Sequence, residues 1–245
     1  MNKTLQEGLV YSKQLKQIRE NLSDNIELFI IPSYTSLAPL KKEIEGSGIK
    51  LGAQNMHWAP SGPFTGEISP EMLSEIGIDL VELGHSERRQ YYNENDEDIN
   101  KKAKAALEYQ MNPLICIGES SAHKENGVGK EKLSEQLKIA LKGITENQLD
   151  QVIIAYEPVW SIGENGSPAS AEHVETMHSH IREVLRSEYG EAAENVAIIY
   201  GGSVNENNFK DYLKIEDVNG LFIGRAAWNI ESFERILNKI HSAYQ

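Results

Sequence analysis

The chain has 245 residues, of which 40% are hydrophobic, and its formal net charge at pH 7 is −13. This is enough for one substantial core, so we expect one domain over residues 1–245. A charge this negative argues against a general binder of nucleic acid or of anionic membranes, because such binders need a basic surface. The negative charge does not argue against a small phosphorylated ligand, since backbone N–H groups at the start of a helix can hold a phosphate.

The predicted compartment is the cytoplasm. Cys116 is the one cysteine of the sequence, which excludes an internal disulfide and is typical of a reducing compartment. The polar N-terminal segment lacks the apolar run of a secretory signal. No apolar stretch approaches the roughly 18 residues of a membrane span, so no membrane partner is predicted.

The chain opens on a helical pattern and then alternates between two kinds of segment. Residues 5–22, 98–110, 130–144, 171–189 and 232–244 carry apolar residues at three- and four-residue spacing, as amphipathic helices do. The runs between such patterns are apolar on both alternating faces, which is typical of strands buried beneath helices. Seven strands are predicted: Glu27–Pro32, Lys50–Gln54, Asp79–Leu83, Pro113–Ile117, Gln151–Tyr156, Val196–Tyr200 and Gly220–Ile223.

This alternation predicts an α/β fold with a parallel sheet. Successive strands are separated by roughly 25 to 40 residues, the length of one βα unit. Eight such units close the common barrel, and seven would leave a gap in it. An open, doubly wound sheet is the alternative, and the topology alone does not decide between the two.

His85 is the first candidate site residue. It follows the third predicted strand in LGHSERR, at the carboxyl end of the strand, where parallel α/β folds collect functional groups. A charged stretch that predicts a helix follows it, and the helix dipole favours a neutral imidazole. A neutral histidine can donate a hydrogen bond to a carbonyl oxygen as it becomes an enediolate. A capping or packing histidine is the structural alternative.

Glu157 is the second candidate. It ends the fifth predicted strand in AYEPVW, where a partly desolvated carboxylate would make a good base. The loop after it, with Gly163, Gly166 and Pro168, is compatible with a mobile lid that excludes water. The alternative is a salt-bridged carboxylate followed by an ordinary turn.

The last two strands precede glycine-rich loops, YGGSV and IGRAA. Gly201, Gly202, Ser203 and Gly224 let backbone N–H groups approach an anion, and such loops are the usual phosphate site of α/β barrels. Tight turns that need glycine would explain either loop alone. Together, the two loops favour a phosphate-binding site.

Other motifs favour structural explanations. His173, His178 and His180 share one predicted helix, but no pair has the i, i+4 spacing of a zinc site, so no metal is predicted. Arg88 and Arg89 are interpreted as members of structural ion pairs.

The segments LGAQNMHWAPSGPFTGEIS, LGHSERR, CIGE, AYEPVWSIG and YGGSV resemble the signature segments of the triosephosphate isomerase family, in order and at the family's spacing. The resemblance runs from Met1 to the C-terminus. It implies a (β/α)8 barrel that needs no metal or organic cofactor and acts on a small phosphorylated sugar. The family's first strand ends in an N-x-K-M-N pattern that supplies an asparagine and a lysine. Because Met1 and Asn2 match positions just after that lysine, and Lys3 falls too late, we expect the first strand and the lysine to be absent from this sequence.

The resemblance also implies roles for individual residues. Glu157 matches the base that shuttles a proton between adjacent carbons, His85 the electrophile that is neutral in the family, and Glu87 a supporting glutamate. Residues 158–169 match the closing lid, and Asn55–Glu67 matches the loop that joins the family's homodimers. The phosphate ligands match Gly163, Ser203 and Gly224.

Two differences bear on the substrate. The lid reads GENGS instead of the usual GTGKT, and Arg225 replaces the second glycine of the last phosphate loop, where it could add a phosphate contact or crowd the site. Both segments are similar to a branch of the family that isomerises four-carbon ketose phosphates. We therefore expect an aldose–ketose isomerase acting through an enediol, by default on glyceraldehyde 3-phosphate and dihydroxyacetone phosphate. The alternatives are a tetrulose-phosphate isomerase and a non-catalytic phosphate-binding barrel.

Overall fold

The computed structural model describes residues 1–163 and 166–243 of the chain. Its sheet is parallel, and each strand pairs with the next one along the chain. Within the described residues its seven strands are β1 (Phe29–Ile30), β2 (Lys50–Ala53), β3 (Leu80–Leu83), β4 (Asn112–Ile117), β5 (Ile153–Tyr156), β6 (Ala197–Tyr200) and β7 (Gly220–Leu221).

Helices connect the strands and precede the first one. They are α1 (Leu5–Arg19), α2 (Leu37–Glu43), α3 (Pro70–Ile76), α4 (Ser86–Tyr92), α5 (Asp96–Glu108), α6 (Ser121–Glu125), α7 (Gly129–Ala140), α8 (Ala171–Tyr189), α9 (Phe209–Tyr212) and α10 (Ile230–Ala243). The five helical patterns of the sequence correspond to α1, α5, α7, α8 and α10. Residue 244, the end of the last predicted pattern, lies outside the described residues.

Local sequence sets the helix ends. The Thr4 hydroxyl accepts from the Glu7 backbone N–H, and the Glu7 carboxylate accepts from the Thr4 N–H, so α1 begins with a reciprocal cap. Helix α3 begins with Ser69 as its cap and Pro70 in its first turn, and ends at Gly77, whose φ is +78°.

All seven predicted strands are confirmed; all but β4 are shorter than predicted, and the two at the sheet edges keep only two residues each. The predicted runs Glu27–Pro32 and Gly220–Ile223 reduce to Phe29–Ile30 and Gly220–Leu221. The reason is that β1 pairs only with β2 and β7 only with β6, so each edge strand has hydrogen-bonding partners on one side. The parallel α/β fold is the one the sequence predicts.

Two apolar layers lie on opposite faces of the sheet. Val81 and Leu83 of β3 belong to the large layer between the sheet and the helices. Leu80 points to the other face and joins a smaller inner cluster with Leu114, Cys116, Ala155 and Ile199. Because side chains alternate along a strand, Glu82 shares the inner face with Leu80. Cys116 is buried in this cluster.

The sheet is open between β1 and β7, since its described strands are paired only in the order β1 to β7. Phe29 of β1 and Phe222, just after β7, face each other across the opening with ring centroids 6.0 Å apart. A cavity of about 1190 Å³ runs from this opening to the carboxyl ends of the strands, where His85 and Glu157 line it. The opening corresponds to the gap that seven strands leave in an eight-stranded barrel.

Among the described residues, no helix is both long enough and apolar enough to span a bilayer.

Candidate active site

The predicted site residues come together around one cavity. His85 follows β3, Glu157 follows β5, Ser203 lies in the loop after β6, and Gly224 and Arg225 follow β7. Since all these strands are parallel, their carboxyl ends meet at one rim of the sheet. The cavity is lined there by His85, Glu87, Glu157, Gly163, Ser203, Gly224 and Arg225.

The end of β5 holds Glu157 tightly in place. Its backbone N–H donates to the Ile117 carbonyl at 2.7 Å, continuing the β4–β5 pairing. Two glycines make room for it: a Cβ on Gly118 would lie 1.8 Å from the Glu157 carbonyl oxygen, and one on Gly201 would lie 2.8 Å from the Glu157 Cγ. The strand ends on both sides of β5 therefore need glycine so that this carboxylate can enter the cavity rim.

Glu157 has the properties of a base prepared for a substrate. It is 3% exposed, and its Oε2 has no hydrogen-bond partner among the described residues. Burial raises the pKa of its carboxyl, while the charge of His85 and the thiol of Cys116 act in the opposite direction. A desolvated carboxylate with a free oxygen is a stronger base than one in water.

His85 caps helix α4 with its own ring. The Nδ1 atom accepts a hydrogen bond from the Glu87 backbone N–H at 3.2 Å, so the neutral ring carries its proton on Nε2. Nε2 lies 3.5 Å from the Glu157 Oε1. Burial lowers the pKa of His85, but the charges of Glu157, Glu82 and Glu87 outweigh it and raise the pKa above the usual value. The ring thus directs an N–H toward the same space as the base.

Glu87 lies at the rim of the site. Its side chain is 65% exposed, and its carboxylate is 3.9 Å from the His85 Nδ1. The structure places Glu87 beside the histidine, and its supporting role remains a prediction.

Arg89 fixes the turn that presents His85. Its guanidinium donates to the Gly84 carbonyl at 2.6 Å and to the Cys116 carbonyl at 2.9 Å, and it pairs with Asp96 at 2.5 Å. The φ of Gly84 is +73°, and a Cβ there would lie 2.9 Å from the Arg89 guanidinium. The structural ion pair predicted for Arg89 is confirmed.

Arg88 completes a second buried ion-pair group. Its Nε pairs with Glu94 at 3.4 Å, and Glu94 also accepts from the Gly84 N–H at 3.1 Å and contacts Lys102. Lys102 in turn donates to Asn55 at 2.9 Å. This chain of contacts links the turn before His85 to the start of the Asn55–Glu67 loop.

The segment matched to the lid is anchored at both ends, since Trp160 is bound near its start and the Ala169 carbonyl at its end accepts from the Tyr212 hydroxyl at 2.8 Å. Trp160, in its first turn, donates to the buried Glu119 at 2.7 Å, and Tyr156 and His173 contact the same carboxylate. Although burial acts to raise the pKa of Glu119, these hydrogen bonds hold it below its usual value. Glu164 and Asn165 lie outside the described residues.

The residues matched to the phosphate site have room for a ligand. Gly163 has φ +84°, and a Cβ built on Gly163 or Gly224 would meet no atom of the described residues within 4 Å. Arg225 opens the short turn Arg225–Ala227. Lys3 also lines the cavity, and its ammonium donates to the Trp228 carbonyl at 2.7 Å and lies 4.8 Å from the Tyr11 ring centroid.

Sequence reasoning missed Glu82, which lines the same cavity. Glu82, His85 and Glu157 have potential ligand atoms within 4.8 Å of one another, and among the described residues this is the one such His, Cys, Asp or Glu group that could hold a metal ion. The signal was present in the sequence, since Glu82 is the one charged residue within the strand segment LVEL.

The fold and the site define a parallel α/β protein of the barrel class, with a carboxylate and an imidazole facing each other at the carboxyl ends of its strands. The family model for triosephosphate isomerase matches residues 1–240 of this chain. The chain belongs to the triosephosphate isomerase family.

Relatives with two different names match nearly the whole chain. An L-erythrulose-1-phosphate isomerase of Rhizobium etli is 43% identical over 99% of this chain and 90% of its own length. A protein of the same name from Brucella abortus is 42% identical over 100% of this chain and 95% of its own length. A triosephosphate isomerase of Clostridium botulinum is 42% identical over 97% of this chain and 95% of its own length. Both names are those of isomerases, and the chain is an isomerase by its family.

Proposed function

We propose that this protein isomerises a four-carbon ketose phosphate by moving the carbonyl group between adjacent carbons through an enediol. The observation that carries the proposal is the 43% identity, over 99% of the chain, to a relative named L-erythrulose-1-phosphate isomerase. The lid sequence GENGS and Arg225, both similar to the four-carbon branch of the family, support it. The sequence alone made the triose phosphates the default substrates, and the relatives favour the four-carbon alternative.

The geometry of the site supports a proton transfer between two neighbouring carbons. Glu157 removes a proton from the carbon next to the carbonyl, and the electrons of that C–H bond form the double bond of the enediolate. The His85 Nε2–H donates to the carbonyl oxygen as its negative charge develops. Glu157 then returns the proton to the former carbonyl carbon, while a hydroxyl proton moves between the two oxygens. The 3.5 Å between Glu157 and His85 lets both groups contact one two-carbon unit.

The phosphate is held on the β6–β7 side of the base. Gly163, Ser203 and Gly224 offer backbone N–H groups, and Arg225 adds a guanidinium that can bind two phosphate oxygens at once. This anchor needs no metal ion. The reaction needs no organic cofactor either, since the proton that Glu157 removes is the one it returns.

Triose phosphate isomerisation is the second candidate function. It is favoured by the 42% identity to a triosephosphate isomerase over 97% of the chain. The proton transfer would be the same, and only the group beyond the reacting carbons would differ.

The test is an assay of the purified protein with L-erythrulose 1-phosphate and, separately, with dihydroxyacetone phosphate. We expect the larger kcat/KM for the four-carbon substrate. Glu157→Gln removes the base and should lower kcat by about 10²- to 10⁴-fold, with a smaller change in KM. Turnover of the triose alone would replace the first candidate by the second. Phosphate binding without turnover of either substrate, or full activity of Glu157→Gln, would contradict an isomerase acting through Glu157.

A further inference from the structure

Glu82 occupies the floor of the cavity that holds the proposed reaction. It lies on the inner face of β3, opposite Leu114 of β4 in the strand register. Leu80, on the same face, belongs to the inner apolar cluster with Leu114 and Cys116. Glu82 is 8% exposed, and this small exposed area opens into the cavity. Glu82 is therefore an acidic side chain on a face of the sheet whose other buried side chains are apolar.

Within the parts of the chain that the structure describes, the carboxyl of Glu82 interacts with nearby charges but forms no hydrogen bond. Burial raises its pKa to about 7; Glu157 and Glu87 add to this, and His85 and Arg88 oppose it. No described residue donates a hydrogen bond to it. The Glu82 oxygens are not among the fully buried unpaired atoms, so they face the cavity, where a polar group of a ligand can reach them.

The order of the strands places Glu82 away from the phosphate loops. The loops that hold Ser203 and Gly224 follow β6 and β7, and Glu157 follows β5. Glu82 lies on β3, as does the residue run that leads to His85, on the other side of β5 in the sheet. Its carboxylate is within 4.8 Å of potential ligand atoms of His85 and Glu157, so it borders the reacting carbons. A substrate whose phosphate lies at β6–β7 and whose reacting carbons lie at Glu157 and His85 would direct its far end toward Glu82.

A four-carbon ketose phosphate differs from a triose phosphate at that far end. Beyond the two carbons that exchange the carbonyl, it carries one more carbon with a hydroxyl group, whereas the triose ends at the reacting pair. A carboxyl can accept the proton of such a hydroxyl, and when protonated it can also donate to the hydroxyl oxygen. In the proposed mechanism Glu157, His85 and the phosphate loops bind other parts of the substrate, so this hydroxyl needs a partner of its own.

We propose that the Glu82 carboxyl hydrogen-bonds the hydroxyl on the fourth carbon of the substrate and so selects a tetrulose phosphate over a triose phosphate. This inference rests on the proposed function. A bound triose phosphate would leave the Glu82 carboxyl without a hydrogen-bond partner, which disfavours triose binding. The carboxyl therefore selects against the triose as well as for the tetrulose.

The test compares Glu82→Leu, Glu82→Gln and the exposed-site control Glu75→Leu with the parent protein. Glu82→Leu should lower kcat/KM for L-erythrulose 1-phosphate by about 10- to 100-fold, as expected for one lost hydrogen bond in a buried site. For dihydroxyacetone phosphate kcat/KM should fall less, because the loss of the Glu82 charge beside His85 affects both substrates and the lost hydrogen bond affects only the tetrulose. Glu82→Gln keeps a hydrogen-bonding group and should show a smaller loss, and Glu75→Leu should behave as the parent.

Each result decides between distinct conclusions. An equal loss with both substrates in Glu82→Leu would overturn the selective role of Glu82 and leave the proposed function intact. A parent protein without activity on the tetrulose phosphate would overturn both. Loss of activity in EDTA that Zn²⁺ restores would also overturn the inference, because Glu82, His85 and Glu157 would then act as metal ligands. Urea unfolding of each variant confirms that it is folded.

Discussion

Three ionisable side chains define this site, and their pKa values are coupled through their charges. Burial raises the pKa of Glu157 and Glu82, and the two carboxylates raise that of His85 in turn. The Glu87 backbone N–H, donating to the His85 Nδ1, fixes which nitrogen of the neutral ring carries the proton. The resemblance implied a neutral histidine: the hydrogen bond to Nδ1 favours the neutral ring, whereas the carboxylates around His85 raise its pKa and favour the charged one.

Replacing Glu82 by glutamine tests the cost of this buried carboxyl. Its pKa is about 7 in the folded protein against an ordinary value of 4.5. Between these pH values the folded state binds more protons than the unfolded chain, so the free energy of unfolding falls as pH rises. The shift corresponds to on the order of 3 kcal/mol. Glu82→Gln lacks this contribution, so it should gain stability relative to the parent as the pH rises from about 5 to about 8.

Urea unfolding of both proteins at the two pH values measures the effect. The surface substitution Glu75→Gln serves as the matched control and should follow the parent. An identical pH dependence in the parent and in Glu82→Gln would show that the Glu82 carboxyl has no raised pKa in the folded protein.

Among the single residues, those that sequence reasoning found are the ones at strand ends. His85 and Glu157 follow apolar strands, and parallel strands deliver such residues to one rim. Glu82 was missed because it lies inside a strand. Successive side chains of a strand point to opposite faces of the sheet, and hydrophobicity alone does not tell which of these faces is the inner one. Only the packing of Leu80 into the inner cluster identifies that face.

At the scale of elements, the sequence predicted where the strands lie but not at which residues they begin and end. Apolar runs between helical patterns located all seven strands, because burial on both faces leaves a clear composition. The lengths of β1 and β7 depend on which neighbours pair with them, and this is a property of the sheet as a whole.

The end of β6 controls the position of the base on β5. A Cβ added to Gly201 would lie 2.8 Å from the Glu157 Cγ and 3.4 Å from its Oε1. Gly201→Ala should therefore displace the carboxylate and lower kcat by about 10²-fold, because a shift of about 1 Å is enough to disturb proton transfer. Gly8→Ala in α1 is the control, since its Cβ would make only an ordinary contact with a Leu40 methyl carbon at 3.4 Å.

Steady-state kinetics with the tetrulose phosphate, together with thermal unfolding, separates the two effects. A normal kcat in Gly201→Ala would mean that Glu157 is free to move without loss of function.

At the scale of the whole molecule, the resemblance predicts a homodimer formed through Asn55–Glu67. In the single chain, His57 stacks on Trp58 with ring centroids 4.1 Å apart and lies 4.0 Å from the Phe64 ring. Phe64 itself is 40% exposed. An aromatic group of this kind at a loop tip suits burial against a second copy.

We expect Phe64→Glu to dissociate this dimer, since it would bury an unpaired charge at the contact. Met72→Glu, at another exposed apolar side chain, should leave the assembly unchanged. Analytical ultracentrifugation at micromolar protein concentration measures both. A parent protein that is monomeric under these conditions would refute the predicted dimer.

The opening between β1 and β7 divides the site into parts of unequal rigidity. The strands before His85 and Glu157, β3 and β5, are hydrogen-bonded on both sides, whereas β7, which leads to Gly224, is bonded on one side only. Local opening costs least where backbone hydrogen bonds are fewest. Amide hydrogens near the base should therefore exchange slowly with solvent, and those near the phosphate loop of β7 quickly. In the proposed mechanism, the groups that transfer the proton would then be held rigidly, and the groups that bind the phosphate would be able to adjust to it.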